Sequence, residues 1–434
     1  MKLVSLVSLL LVSVATAEVR TWTEATTGRA FEAELVAVKG ESVELRRSSD
    51  GRRFTLPLAR LSDGDRAFVE KAGQPGGGGD LKVEADRWED LEWKGSEEIP
   101  VAGEVHDRFA PVDQAILAFM VEKGVGAAVA AVSRDGKVVY DRAFGFQDAK
   151  LKQPLQAGAV MRLASISKPI TAAVAKTLIR DGRMKGSDRV WELLGLEAKA
   201  PAGVDPRWKE VTVDHLLKHE GGWDRDVDGD PSFKAPTVAK DKRVDLDEVS
   251  FDDLLAWMLE RPLDFDPGSK DAYSNFGYTL LAKTAATVAG KSWHDLLQET
   301  VANKAGMTTL MVSQTGLERR AAGEIWYHYH PEYRSEPGTM PLRMDFKYGS
   351  GSLACNAADL CRFLEAFWIS GDPREGNGRR YNFYGSMPGT TTVSGQRSDG
   401  VSFAVLCNRR DRSPSDWNKE LKEAVDAALD GVGW

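Results

Sequence analysis

The sequence predicts an α/β (α+β) protein of two domains: a small antiparallel β-barrel, then a larger domain in which helices flank one antiparallel sheet and a helical region is inserted. Four consecutive glycines at 76–79 divide the chain, because such a run loses too much conformational entropy to be held in a packed element. Before them, apolar and polar residues alternate as in strands. After them, strand-like runs stand at both ends of a long segment with helical periodicity between. The resulting divisions are a leader at 1–17, the barrel at 18–72, a Gly-rich and acidic linker at 73–100 and the larger domain at 101–434.

The first seventeen residues have the pattern of a signal peptide. Lys2 is followed by an apolar run from Leu3 to Val14, and Ala15-Thr16-Ala17 then fits the small-x-small cleavage rule. The alternative is an N-terminal membrane anchor, but the run is well short of the roughly 20 residues needed to span a bilayer. We therefore expect a bacterial protein exported to the periplasm or the extracellular space, without a membrane span.

Composition excludes several classes of partner and site. The 434 residues carry a net charge of -8, with 42% hydrophobic and 28% charged residues, and no Lys/Arg-rich run stands out. Nucleic acid and anionic membranes are therefore poor candidate partners. The three cysteines, Cys355, Cys361 and Cys407, match no metal-site spacing. Pairing of Cys355 with Cys361 stays open, and buried free thiols are the favoured interpretation.

The segment 18–72 predicts the barrel. Alternation runs through Phe31–Leu35, Val43–Leu45 and Phe54–Leu58, and Asp50-Gly51 between the last two is a hairpin signal. Ser62 with Asp65 three residues later predicts the start of one short helix that closes the barrel.

This segment resembles the SH3-like Sla homology domain of adaptor proteins. The resemblance rests on Trp22-Thr23, residues 40–45, Asp50-Gly51 and residues 57–62. It implies a module that binds a peptide or a cell-wall ligand. A spacer or wall-attachment role is an equally weighted alternative.

The larger domain places strands near both of its ends. Helical periodicity predicts Val112–Lys123 and Trp417–Leu429 as helices. The predicted strands are Ala127–Val132, Lys137–Phe144, Thr390–Ser394 and Val401–Cys407. One sheet assembled from both ends of the domain follows from this order.

The strongest local motif for chemistry is Ser165-x-x-Lys168, which opens a helical pattern. Residues three apart on a helix share a face, and the start of a helix favours negative charge on Ser165. A serine hydroxyl needs a base, and a desolvated lysine can be neutral enough to serve. Alone the motif is weak, since an N-cap serine followed by a surface lysine looks the same.

Two later segments of the sequence carry further residues suited to the chemistry of Ser165 and Lys168. Tyr273-x-Asn275 follows a Pro-Gly turn and precedes a helix predicted at Thr279–Val288. A tyrosine beside a lysine can shuttle a proton, and an amide can orient substrate. Residues 383–390 lead into a strand, where Gly385 allows close approach to a strand edge.

These three segments, in this order, resemble the serine β-lactamase, penicillin-binding protein and class C β-lactamase-like esterase superfamily, from about residue 101 to the end. The resemblance implies a β-lactamase/transpeptidase-like fold. It makes Ser165 the acylated nucleophile, Lys168 its base, Tyr273 the proton shuttle and Asn275 a partner of substrate and lysine. It also implies an oxyanion hole formed by the backbone N–H groups of Ser165 and Ser386.

One departure from that pattern concerns the substrate. Phe383 stands where the family usually has Lys or His, before Tyr384-Gly385, and phenylalanine binds no carboxylate. This favours ester or amide hydrolysis over β-lactam or D-Ala-D-Ala processing. Glu220-Gly221-Gly222 also replaces the family's usual Thr-Ser-Gly, which we expect to affect a loop only.

Histidines near the motifs have two interpretations. Trp326, His328 and His330 either line the substrate cleft, where an imidazole would replace the group lost at Phe383, or are ordinary aromatic packing. His215 and His219 are four apart, but neither a motif Glu nor a third ligand accompanies them, so we expect structural roles and no metal. Nothing implies a cofactor.

The sequence therefore predicts an exported serine hydrolase that acts on a small-molecule or peptide ester or amide through a Ser165 acyl-enzyme. The alternative is a catalytically silent, penicillin-binding-protein-like cleft that holds a peptide, glycan or acyl ligand. Intact Ser165, Lys168 and Tyr273 argue for the enzyme, whereas Phe383 argues for the silent protein.

Overall fold

The computed structural model describes residues 11–13, 20–25, 30–39, 42–47, 53–72, 99–147, 153–246, 248–313, 324–329, 343–410 and 416–434. The chain divides into two compact units, Met1–Glu84 and Ala85–Trp434. Most of the predicted leader, the Asp50-Gly51 hairpin signal, the linker up to residue 98 and His330 lie outside the described residues. The expected division at the glycine run therefore stays a prediction.

The first unit contains an antiparallel sheet and one helix, α1 (Asp63–Ala72). The strands pair in the order β1-β3-β4-β5, and β2 also pairs with β3. Their bounds are β1 Leu11–Ser13, β2 Arg20–Thr23, β3 Ala30–Lys39, β4 Ser42–Arg47 and β5 Arg53–Pro57. Strand β1 lies inside the segment predicted as a cleaved leader, and there Val12 pairs with Val38.

Burial of one aromatic side chain organises this unit. Trp22 is fully buried and its Nε1 donates to the Ala33 carbonyl at 2.9 Å. Ser62 caps α1 as predicted, because its Oγ accepts from the Asp65 backbone N–H at 3.2 Å. The Asp65 carboxylate also accepts from the Thr23 backbone N–H at 2.8 Å, which ties the helix to β2.

The second unit is built on a six-stranded antiparallel sheet in the order β13-β14-β15-β7-β8-β6. Its strands are β6 Val101–Ala102, β7 Ala127–Arg134, β8 Lys137–Gly145, β13 Tyr381–Met387, β14 Thr390–Gln396 and β15 Val401–Cys407. Strand β15 pairs with β7, so the two ends of this unit meet in the middle of the sheet. This confirms the sheet that the sequence predicts.

Both faces of the sheet are covered. On β7, Ala127, Val129 and Ala131 face one apolar core, whereas Ala128, Ala130 and Val132 face the other. This alternation is the two-residue period of a strand buried on both sides. Helices α2 (Ala110–Lys123) and α13 (Trp417–Asp430) cover the second face.

The remaining helices lie between these end segments, as predicted. They are α3 Ser167–Arg180, α4 Val190–Leu193, α5 Val213–Leu217, α6 Arg225–Asp228, α7 Ala235–Lys242, α8 Phe251–Leu259, α9 Asn275–Ala289, α10 Trp293–Leu297, α11 Asn303–Ala305 and α12 Ala357–Ala366. Helix α9 begins at Asn275, four residues before the predicted start, because Ser274 Oγ accepts from the Gly277 backbone N–H at 3.0 Å and caps it.

Short strands connect this region to the sheet. Strands β9 (Met161–Arg162), β10 (Met311–Val312) and β12 (Leu353–Cys355) form one small sheet. Strand β11 (His328–Tyr329) pairs with β16 (Arg409–Arg410) in parallel. All three cysteines are buried free thiols, and Cys355 and Cys361 are not bonded to each other. Among the described residues there is no helix with the length and apolar character of a membrane span.

Candidate active site

Ser165 lies in a tight turn between β9 and α3. The turn is a single 3-10 helix, Ala164–Ile166, that runs directly into α3. Ala164 has a φ of 49°, in the left-handed region that costs energy for a residue with a Cβ. A strained turn of this kind persists only where packing imposes it, and such turns are concentrated at functional sites.

Lys168 lies one helical turn further on, and its amine is removed from water. The residue is 1% exposed, and its Nζ donates to Asn275 Oδ1 at 2.5 Å and to the Ser350 carbonyl at 2.7 Å. Burial lowers the pKa of Lys168 well below its usual range, and Lys347 and Arg225 lower it further, whereas Asp230 raises it.

The hydrogen bonds of the Lys168 amine determine whether its nitrogen can accept a proton. Lys168 Nζ lies 3.4 Å from Ser165 Oγ. A neutral amine has two N–H groups and one lone pair, and two acceptors already occupy the N–H groups. The lone pair is therefore left for the Ser165 hydroxyl proton, which is the arrangement of a general base.

Tyr273 approaches Ser165 from the other side. Its Oη donates to Ser165 Oγ at 2.9 Å, so the serine oxygen contacts both the phenol and the Lys168 amine. Burial raises the pKa of Tyr273, and this keeps the phenol protonated in the resting site. Two basic side chains lie over its ring, with Lys168 Nζ at 4.7 Å and Arg225 Cζ at 4.8 Å from the centroid.

His219 supports this tyrosine, a role that sequence reasoning missed. Its ring packs against Tyr273 at 4.7 Å and Tyr278 at 4.8 Å between centroids, and its Nδ1 accepts from the Ser274 backbone N–H at 3.2 Å. Burial lowers the pKa of His219 to about 4, so the ring is neutral. The sequence predicts a structural role for His219 but not its partners, and among the described residues no group of three or more histidine, cysteine or carboxylate side chains could hold a metal ion.

His215, the other histidine of that pair, has the structural role predicted for it. Its side chain accepts from the Thr212 backbone N–H at 3.3 Å, and Thr212 Oγ1 accepts from the His215 backbone N–H in return. The two residues form a capping box at the start of α5.

Asn275 links Lys168 to a carboxylate that sequence reasoning also missed. Its Nδ2 donates to Asp230 Oδ2, while its Oδ1 accepts from Lys168. Asp230 is half-buried and caps the 3-10 helix Pro231–Phe233. The only local signal was Asp230-Pro231, an ordinary helix start.

Strand β13 passes directly beside the Ser165 turn. A Cβ on Gly385 would lie 2.2 Å from the Leu163 carbonyl oxygen and 3.1 Å from Ala164 Cβ, so only glycine fits. Ser386 is exposed, and its Oγ donates to Asn418 Oδ1 at 2.7 Å. Phe383 is half-buried and lies on the same strand face as Gly385, the face toward the Ser165 turn.

The aromatic segment after Trp326 includes β11, which pairs with β16. His328 is buried, its backbone N–H donates to the Asn408 carbonyl at 2.8 Å, and burial lowers its pKa to about 4. Trp326 is half-buried. A cleft-lining role for Trp326, His328 and His330 stays a prediction.

Tyr327, between Trp326 and His328, holds the strand that precedes Ser165. Tyr327 Oη accepts from the Arg162 backbone N–H at 2.6 Å and donates to Glu324 Oε1 at 2.9 Å. Arg162 Nε also lies 3.4 Å from that carboxylate and 3.0 Å from Ser313 Oγ. This buried network holds β9, whose Arg162 lies three residues before Ser165.

A cavity of about 240 Å³ opens beside Ser274 and Asp230. Its apolar lining residues are Trp223, Trp257, Met258, Pro231 and Pro262. Its polar lining residues are Asp224, Arg225, Asp228, Asp230, Arg261, Asp264 and Ser274.

The Beta-lactamase family profile matches residues 112–405. The chain belongs to the Beta-lactamase family. Residues 13–75 match SLA1 homology domain 1, which confirms the resemblance of the N-terminal module.

Relatives and solved structures agree with this family. Penicillin-binding protein 4* of Bacillus subtilis is 27% identical over 251 residues, which cover 54% of this chain and 50% of the relative. Esterase EstB of Burkholderia gladioli is 30% identical over 154 residues, 35% of this chain and 38% of the esterase. The octameric penicillin-binding protein homologue from Pyrococcus abyssi aligns with a TM-score of 0.58 at 20% identity, covering 74% of this chain and 77% of that one.

The last of these shows the β-lactamase/transpeptidase-like fold that the sequence predicts. The chain spans about half the length of the first curated relatives it matches.

Proposed function

We propose that this Beta-lactamase family protein is a serine hydrolase that cleaves an ester or amide through an acyl-enzyme on Ser165. The observation that carries the proposal is the contact set of Ser165 Oγ, with Tyr273 Oη at 2.9 Å and the buried Lys168 amine at 3.4 Å. The similarity to a penicillin-binding protein and to an esterase supports the same chemistry.

In the proposed acylation step, Ser165 Oγ attacks the substrate carbonyl carbon while its proton moves to Lys168 Nζ. The backbone N–H groups of Ser165 and Ser386 stabilise the oxyanion. Ser386 suits this role because β13 is the edge strand of its sheet, and alternate N–H groups of an edge strand point away from the neighbouring strand.

Collapse of the intermediate then breaks the bond to the leaving group. Tyr273 gives its proton to the leaving oxygen or nitrogen and is reprotonated from Lys168. Water, activated by the same pair, hydrolyses the Ser165 ester and restores the free hydroxyl. The two cations over the Tyr273 ring favour the phenolate that forms in passing.

We propose neutral, apolar acyl esters or amides as preferred substrates. Phe383 lies on the β13 face toward the nucleophile turn and offers no hydrogen bond, so a buried carboxylate there would stay unpaired.

Export and the role of the N-terminal module belong to this proposal too. Cleavage after Ala17 is supported by the leader pattern, and N-terminal sequencing of protein from the native host would test it. A mature chain that still begins at Met1 would reject it. For the SLA1 homology domain 1 module we propose a peptide or cell-wall ligand, to be tested by binding of peptidoglycan fragments to the full chain.

The central experiment treats the full chain with an activated ester, a β-lactam and a phosphonate and measures intact mass. We expect a covalent adduct in the wild type that Ser165→Ala abolishes. Lys168→Ala should slow acylation by about 100-fold or more, as expected for loss of a general base.

Ser167→Ala is the matched control, because that serine is two residues away and accepts a hydrogen bond from the Leu353 backbone N–H at 3.1 Å. It should keep the adduct. An adduct that survives in Ser165→Ala would reject the assigned nucleophile. Absence of any adduct with all three probes would favour the silent binding protein.

A further inference from the structure

A second lysine is buried close to the proposed base. Lys347 ends the 3-10 helix Met344–Lys347 and is 3% exposed. Its Nζ lies 3.2 Å from the centroid of the Phe233 ring and donates to the Ser232 carbonyl at 3.4 Å. Burial lowers the pKa of Lys347 to about 8, so it is charged below that pH.

One short turn connects the two buried lysines, since it contacts Lys347 directly and is linked to Lys168 through Asn275. It is the 3-10 helix Pro231–Phe233, which Asp230 caps by accepting from the Ser232 backbone N–H at 2.9 Å. The turn reaches Lys347 through Ser232 and Phe233. It reaches Lys168 through Asp230, whose carboxylate accepts from Asn275 Nδ2.

That carboxylate fixes which end of the Asn275 amide faces Lys168. A carboxylate accepts hydrogen bonds and donates none, so the amide must turn its NH₂ group to Asp230. The carbonyl oxygen is thereby left for Lys168 Nζ, at 2.5 Å.

The backbone of Lys347 connects to Lys168 by a second route. Its carbonyl accepts from the backbone N–H groups of Ser350 at 2.8 Å and Gly351 at 2.9 Å. The Ser350 carbonyl in turn accepts from Lys168 at 2.7 Å. Lys347 is therefore part of the frame that holds the amine.

We propose that Asp230 and Lys347 are opposing positioning residues for Lys168: the carboxylate orients Asn275 and favours the ammonium, whereas the Lys347 charge favours the neutral base. This proposal rests on the proposed function. The other titratable and charged groups that face Lys168 are Tyr273, Tyr278, His219 and Arg225.

The test is the pH profile of acylation, which rises as Lys168 loses its proton. Asp230→Asn removes a negative charge, so the midpoint should move to lower pH. Lys347→Met removes a positive charge, so the midpoint should move to higher pH. Each shift should be about one pH unit, the scale of a unit charge acting across one side chain at an effective dielectric of about 20.

Asp230→Asn should also lower the plateau rate, because the Asn275 amide is then free to rotate. Lys347→Met should fold, since it replaces a poorly hydrogen-bonded buried ammonium by an apolar chain of similar length. If it does not, Lys347→Gln takes its place, and melting curves establish that each variant is folded.

Two matched controls carry the same substitutions outside the site. Asp372 and Lys176 pair with each other at 2.7 Å, and neither lines the cavity beside Asp230. Asp372→Asn and Lys176→Met should leave the midpoint at its wild-type value.

The proposal is overturned if the midpoints of Asp230→Asn and Lys347→Met equal those of their controls. It is also overturned if both midpoints move in the same direction. In either case Ser165-dependent acylation still stands. Labelling that survives in Ser165→Ala would instead overturn the proposed function.

Discussion

Substitution of Gly385 by alanine should separate activity from folding at the edge of β13. Gly385 does not have a positive φ, so alanine is compatible with its backbone conformation. The strain comes only from contact, because the added Cβ would lie 2.2 Å from the Leu163 carbonyl oxygen and 2.1 Å from Thr392 Oγ1. Ordinary contacts are about 3.5 Å, so β13 must move away from the Ser165 turn by about 1 Å.

A displacement of about 1 Å in an oxyanion donor is expected to cost roughly 100-fold in rate. Overpacking should cost about 1–3 kcal/mol of stability. The assay is the second-order acylation rate with an activated ester, measured below the melting transition.

Gly395→Ala is the matched control, since its Cβ would lie 2.4 Å from the Phe403 ring in the same sheet, away from Ser165. It should lose comparable stability and keep its acylation rate. A folded Gly385→Ala that acylates at the wild-type rate would refute the assignment of β13 to the oxyanion site.

Three further predictions concern specificity and stability. Phe383→His should raise acylation by carboxylate-bearing substrates relative to neutral esters by about tenfold, the value of one charged hydrogen bond; a loss of melting temperature with no change in that ratio would contradict the placement of Phe383. Arg162→Leu leaves Glu324 buried without its cation, so urea unfolding should show a loss of about 3–5 kcal/mol. The pKa values of His219 and His328 are lowered to about 4 in the folded chain. Between about pH 6.5 and 4 these histidines are therefore protonated in the unfolded chain but neutral in the folded chain. Unfolding free energy should therefore fall as pH drops from about 6.5 towards 4, by about 2 kcal/mol per histidine between pH 7 and 5, and His328→Gln should weaken this dependence.

Local patterns in the sequence predict much of the fold. Two-residue alternation and apolar runs give β7, β8 and β15, and helical periodicity gives α2 and α13, with ends displaced by a few residues. The start of α9 was misplaced because the Ser274 cap resembles any loop serine. Ser165 and Lys168 were identifiable because one helical turn places them on the same face.

The support around these residues has no local signature. Asp230 is 45 residues from the Asn275 it contacts, and the Ser350 carbonyl is 182 residues from Lys168. His219 contacts Tyr273, 54 residues away in the sequence, and its spacing to His215 carries no information about that contact. Contacts of this kind depend on chain packing, and periodicity and capping rules carry no information about them.

The basic side chains of this site all come from one part of the fold. Lys168, Arg225 and Lys347 all come from the helical part of the larger domain, whereas β13 contributes the apolar Phe383. In the proposed mechanism, once Lys168 has accepted the Ser165 proton, positive charge lies on both Lys168 and Arg225 beside the Tyr273 ring. Because the folded chain itself leaves Lys168 only 1% exposed, its low pKa does not depend on substrate to exclude water. Acylation of a small neutral ester should then need no charged group on the substrate.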